Sequence, residues 1–153
     1  MAKVPHTDRL DAPTVLLADD DEEFRSALAE LLDEDGCDVV AVPNGAAALA
    51  LLEDAAKGRA PPPDLLVLDL LMPRMSGLEV LQRLRKSARW ARLPVLVVTG
   101  VNDPMLPVRL DVPIAFKPDA EAVLAAIRQQ LAGNRATPAG ADRNVREASE
   151  DEV

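Results

Sequence analysis

Aromatic side chains are almost missing from this 153-residue chain, which has two Phe, one Trp and no Tyr. Its core must therefore be packed by Leu, Val and Ala, and little is left to stack on nucleobases or to build an aromatic ligand box. Cysteine and histidine are equally scarce, at one each. A single Cys37 excludes an internal disulfide and any multi-cysteine metal site, and its setting in Asp35-Gly36-Cys37-Asp38 reads as a helix-to-strand turn. His6 falls outside every periodic segment and reads as a solvated residue. No segment reaches the roughly 18 apolar residues of a membrane span, and Met1 to Asp11 has neither a basic n-region nor an apolar h-region. These absences predict a cytoplasmic protein with no membrane segment. The formal net charge of −9 argues against nucleic acid or an anionic membrane as a partner, because an acidic surface gains nothing from counterion release.

What is present is a strongly apolar, alternating chain. Hydrophobic residues make up 48% of it, enough with this length for one domain with a proper core. Thr14 to Ala18 predicts a first strand, and Phe24, Ala27, Leu28, Leu31 and Leu32 follow at helical spacing up to Gly36. Asp38 to Val42 predicts a second strand, and Asn44 suits the cap of a helix over 46–56. Pro61-Pro62-Pro63 stiffens the approach to a third strand, Asp64 to Asp69. Leu78, Val80, Leu81 and Leu84 mark another helix, with Arg83, Arg85, Lys86 and Arg89 on its wetter side as a candidate positive patch. A fourth strand covers Val95 to Thr99 and a fifth Val112 to Phe116. A last helix is expected from about Asp119 to Leu131, the periodic pattern stopping after Gly133. Such alternation, with strands apolar on both faces, predicts an α/β domain whose parallel sheet is covered by helices on each side. The predicted organisation is an N-terminal extension at 1–12, one domain at 13–132 and a polar, acidic, disordered tail at 133–153 that is too short to form an output domain.

The polar residues of the strand ends carry the chemistry. Asp19 and Asp20, Asp69, Thr99 and Lys117 each stand where a strand stops, and in a parallel sheet these ends meet at one edge. Asp69 is the most telling, because it closes the apolar run Leu65-Leu66-Val67-Leu68, where a carboxylate is costly unless a cation meets it. Three carboxylates at one edge repel one another, and a divalent cation would relieve them. An all-oxygen donor set without His or Cys suits hard Mg²⁺ and argues against zinc. With Lys117 as a cation and Thr99 as a hydroxyl donor, the same edge can receive a phosphoryl group, with Asp69 as the nucleophile.

In this order these residues give the chain a resemblance to the receiver domain of bacterial two-component response regulators over roughly Pro13 to Leu131. It rests on Asp19-Asp20, Asp69 followed by Met72-Pro73 and Gly77, Thr99, and Lys117-Pro118. The resemblance implies a flavodoxin-like, doubly wound five-stranded sheet of order 2-1-3-4-5. It also implies a signalling phosphoacceptor in a phosphorelay rather than an enzyme. The donor would be a histidine kinase or a histidine phosphotransfer protein, and a downstream protein would read the phosphorylated state. Asp20 would be the main Mg²⁺ ligand, supported by Asp19, Asp69 and the backbone carbonyl of Leu71. The Lys117-Pro118 peptide bond would be cis.

Some positions depart from the family pattern. Ile114 stands where the family has a rotating Tyr or Phe, and Phe116 is assigned to core packing. The interval from Thr99 to Lys117 is short and proline-rich, so a shortened or irregular fourth helix is expected. Leu71 and Val101 are both apolar and cannot orient a hydrolytic water, which predicts a slowly lost acyl phosphate. These departures motivate an alternative, a pseudo-receiver that binds a protein partner without phosphorylation. A metal-dependent phosphohydrolase ranks lowest, since Leu71 occupies the place where its second acid would stand.

Overall fold

The computed structural model describes residues 12–100 and 111–136, with side chains as far as Gly133. The expected N-terminal extension with His6, the fourth-helix region with Val101, and most of the acidic tail lie outside the described residues. Five strands run β1 (Thr14–Ala18), β2 (Asp38–Val42), β3 (Leu65–Asp69), β4 (Val95–Thr99) and β5 (Ile114–Phe116). Four helices are described, α1 (Glu22–Glu34), α2 (Gly45–Ala56), α3 (Gly77–Arg85) and α4 (Ala120–Ala136). All strand pairs are parallel, in the order β2-β1-β3-β4-β5. This is the flavodoxin-like order expected from the sequence.

Period-two alternation divides the core between the two faces of the sheet. Val15, Leu17, Leu65, Val67, Leu96 and Val98 pack with Phe24, Leu28 and Leu32 of α1 and Val123, Leu124 and Ile127 of α4. On the other face, Leu16, Leu66, Leu68, Val95 and Val97 pack with Ala48 and Leu52 of α2 and Val80, Leu81 and Leu84 of α3. β3 and β4 are buried along their whole length. Each buried Leu or Val there contributes about 1.5–3 kcal/mol of transfer free energy, which fixes the central strands and the residues at their ends. β2 is an edge strand and departs from the two-faced apolar pattern, with Val40 and Ala41 exposed.

The helix starts follow capping chemistry. Asp21, Asn44 and Ser76 precede α1, α2 and α3, and their side chains accept from the backbone N–H groups of Phe24, Ala47 and Glu79. Asp119 does the same for Ala122 at the start of α4. Gly36, at φ 93°, turns the chain out of α1 in a conformation that costs glycine little. Three expectations need correction. The final helix continues to Ala136, past the expected end at about Leu131 and into the segment expected to be tail. The fifth strand begins at Ile114 rather than at Val112. Phe116 is 41% exposed rather than packed in the core, because β5 is an edge strand, where the buried position belongs to Ala115.

Candidate functional site

The C-terminal ends of β1, β3, β4 and β5 meet at one edge, as the parallel topology requires. β1 delivers Asp19, buried, and Asp20, exposed. The three consecutive acids there divide their work. Asp19 Oδ1 accepts from the Asp21 backbone N–H at 2.9 Å, while Asp21 caps α1. Asp20 is exposed at the mouth, with its carboxylate near those of Asp19 and Asp69. The backbone of Asp19 is fixed on both sides, donating to Val42 O at 3.1 Å and accepting from the Arg25 guanidinium at 2.7 Å.

Asp69 is 4% exposed and Thr99 1%. The chain beyond Asp69 turns back sharply. Gly77 N donates to Leu70 O at 2.8 Å, and a Cβ at Gly77 would come within 2.2 Å of Asp69 O. Only glycine lets the start of α3 lie this close to the end of β3. Arg74, in the same loop, has φ 70°, a left-handed conformation that disfavours a side chain. Leu71 N donates to Asp69 Oδ1 at 3.3 Å, and the Leu71 side chain is exposed.

Lys117 reaches in from the end of β5, and its peptide bond to Pro118 is cis. Its Nζ lies 3.0 Å from Asp19 and 3.4 Å from Asp69 Oδ2. The lysine is thus shared between the two carboxylates, and nearer Asp19. The Phe24 ring lies beneath it, with Nζ 5.0 Å from the ring centroid, so α1 supplies a cation–π contact as well as apolar packing. Sequence reasoning missed Phe24 and Arg25 as parts of this edge. Their helical positions, three and four residues after the capping Asp21, are the only signal the sequence offers.

The electrostatics follow from burial and crowding. Burial, then the negative charge of Asp19, push the Asp69 carboxyl up to about 8, against the opposing pull of Lys117; a hydrogen bond with Asp20 adds to the rise. Burial works against the charge of Lys117, but its hydrogen bond to Asp19 and the fields of both carboxylates outweigh this and raise its pKa. The edge thus holds more negative charge than one lysine balances.

A divalent cation fits what remains. Asp19, Asp20 and Asp69 each offer a carboxylate oxygen, and these oxygens all lie within 4.8 Å of one another. Asp19 Oδ2 is buried and accepts no hydrogen bond, although Lys117 Nζ is 3.0 Å away, so this oxygen is free to serve as a metal ligand. The set is all oxygen, as a hard cation requires.

Comparison with known proteins agrees with this geometry. Residues 15–112 match the response regulator receiver domain family. The chain belongs to that family, whose domains are signalling phosphoacceptors of two-component systems. The transcriptional regulatory protein CpxR of Klebsiella pneumoniae is 41% identical over 86 residues, which are 56% of this chain and 33% of that protein. The sensor histidine kinase TmoS of Ectopseudomonas mendocina is 36% identical over 100 residues, 65% of this chain and 10% of the kinase. The chain thus spans a third or less of these relatives. Among solved structures, the receiver domain of a signal transduction histidine kinase from Syntrophus aciditrophicus superposes with a TM-score of 0.67 at 23% identity, covering 93% of this chain and 98% of that one. The chemotaxis protein CheY4 of Vibrio cholerae gives 0.64 at 24% identity, covering 77% and 98%. At these identities the structural likeness speaks for the fold. No helix among the described residues is long and apolar enough to cross a membrane.

Proposed function

We propose that this chain is a phosphoacceptor receiver that takes a phosphoryl group from a phosphohistidine onto Asp69 and thereby switches a protein–protein interaction in the cytoplasm. One observation carries the reading. Asp69 closes a wholly buried apolar strand, within hydrogen-bonding reach of Lys117 and beside two further carboxylates. A carboxylate held there at such electrostatic cost has few structural reasons to exist.

In the proposed reaction a carboxylate oxygen of Asp69 forms a bond to phosphorus as the phosphorus–nitrogen bond of the donor histidine breaks. The electron pair of that bond goes to the imidazole, which takes up a proton, and an acyl phosphate is left on Asp69. Asp19, Asp20, Asp69 and the backbone carbonyl of Leu71 would hold Mg²⁺, which when bound offsets charge on the carboxylates and the phosphoryl oxygens. Lys117, already shared between Asp19 and Asp69, would follow a phosphoryl oxygen with little movement. Thr99, at the adjacent strand end, would donate its hydroxyl to another. The chain assists only its own phosphorylation and dephosphorylation, and its partners are a histidine kinase or histidine phosphotransfer protein and a downstream protein that reads the acyl phosphate. Phosphoramidate, a small donor with a phosphorus–nitrogen bond, tests this directly. The reading expects Mg²⁺-dependent phosphorylation that Asp69→Asn abolishes.

A second reading is favoured by Ile114. It is half-buried and packed against the face that holds Leu93 and Val95, in the place where the family carries a rotating aromatic ring. A pseudo-receiver that binds its partner without phosphorylation would account for this residue. Partner binding or cellular function unchanged in Asp69→Asn would favour that reading.

A further inference from the structure

The described surface carries a basic patch that the phosphoacceptor site does not use. From Val80 to Asn102 the chain has five cations and no acid, in a protein of net charge −9. Arg83 is engaged by Glu79 one turn earlier, at 3.2 Å. Arg85, Lys86, Arg89 and Arg92 are all exposed, and no salt bridge joins them to a carboxylate among the described residues. The turn that presents them is held in shape. Arg85 donates to Ala91 O at 3.1 Å, Trp90 N to Ser87 Oγ at 3.1 Å, and Leu93 N to Trp90 O at 3.1 Å. The Arg89 guanidinium lies 5.2 Å from the centroid of Trp90, whose ring packs on the core. A patch fixed in this way loses little side-chain and loop entropy on meeting an anion.

The patch adjoins the last helix. Arg85 and Arg92 line a cavity of about 200 Å³ together with Asp111 and with Gln130 of α4. Asp111 is the one carboxylate there. From Gln130 the helix continues to Ala136, roughly 9 Å farther at 1.5 Å per residue. Residues 137–153 follow, and within them Glu147, Glu150, Asp151 and Glu152 stand without an intervening cation. The eleven positions from Ala136 to Glu147 span up to about 36 Å when extended, ample to return the distance the helix has carried the chain.

We infer that the acidic segment 147–152 docks in cis on the basic turn formed by Arg85, Lys86, Arg89 and Arg92, so that the chain covers its own positive patch. Charge complementarity selects the segment, and its tether supplies a high effective concentration that lets individually weak surface ion pairs act together. The contact lies at the end of α3 and the start of β4, the edge opposite Asp69, and is independent of whether Asp69 accepts a phosphoryl group.

A nitroxide attached at Ser149→Cys in the full chain tests the inference, Cys37 being buried and shielded from the reagent. The expected result is loss of amide NMR signal at Arg85, Lys86, Arg89 and Arg92 in the oxidised form, restored on reduction of the label. The loss should be unchanged on dilution and should vanish in about 1 M salt, where the Debye length is near 3 Å. It should also vanish when Glu147, Glu150, Asp151 and Glu152 are changed to Gln and Asn in the labelled chain. Three results would overturn the inference: no signal loss at the patch, a loss that grows with protein concentration and so reports a second copy's tail, or a loss that survives charge removal.

Discussion

Lys117 is held more closely by Asp19 than by Asp69, with Nζ 3.0 Å from the first carboxylate and 3.4 Å from the second. Asp19 therefore anchors the lysine beside Asp69 while leaving Asp69 the weaker claim on it. Replacing Lys117 by Met leaves two buried carboxylates without their cation. Breaking a buried pair in this way costs about 3–5 kcal/mol, and the low end is expected because Asp69 takes up a proton readily. Urea unfolding of Lys117→Met in metal-free buffer at neutral pH checks this; an unchanged midpoint would mean the lysine is not the main counterion.

Asp69→Asn should stabilise the metal-free protein at neutral pH. The folded Asp69 carboxyl titrates near 8 against an ordinary 3.8, so folding binds a proton and stability falls as pH rises from about 4 through 8. Removing the carboxyl relieves this cost. A gain of about 2–4 kcal/mol is expected at pH 7 to 8, shrinking to nothing near pH 4, as read by thermal or urea unfolding in a chelator.

Much of this arrangement was legible in the sequence. Continuous apolar runs gave β1 and β4 with the observed bounds, because a strand buried on both faces reads as a near-continuous apolar run. Asn44 was read as a cap and its side chain accepts from Ala47 N. The parallel topology sufficed to bring Asp19, Asp20, Asp69, Thr99 and Lys117 to one edge. Details set by packing across the fold were not legible. Lys117 and Asp19 are 98 positions apart, and nothing local says that the lysine favours Asp19 or rests on Phe24. Phe116 was misplaced because alternation gives the face a residue takes but not how far that face is covered on an edge strand.

Gly77→Ala should disturb the site without touching a charged group. The new Cβ meets the backbone oxygen of Asp69, which has no rotamer to yield, so α3 or the end of β3 must move. A loss of about 3 kcal/mol is expected, at the upper end of overpacking costs, together with slower phosphorylation of Asp69. Wild-type stability in this variant would contradict the close approach.

Arg74→Gly should act in the opposite direction. Its φ of 70° costs a side-chain-bearing residue about 1–2 kcal/mol relative to glycine, part of which glycine returns through its freer unfolded chain. A net gain of about 0.5–1 kcal/mol in thermal unfolding is expected, with phosphorylation unimpaired.

Leu71→Asn should shorten the life of the acyl phosphate. The Leu71 side chain is 47% exposed beside Asp69 and has no group to orient water; an amide there can do so. Decay followed by intact mass after removal of the donor should quicken several-fold, and an unchanged rate would show that this position does not govern hydrolysis.

The central claim is that Asp69 accepts a phosphoryl group with the help of a divalent cation. Incubating the full chain with acetyl phosphate, with and without Mg²⁺, and reading the intact mass tests it most directly. A single phosphoryl increment that needs Mg²⁺ and is lost in Asp69→Asn is the predicted result. No increment with Mg²⁺ present, or the same increment in Asp69→Asn, would contradict it.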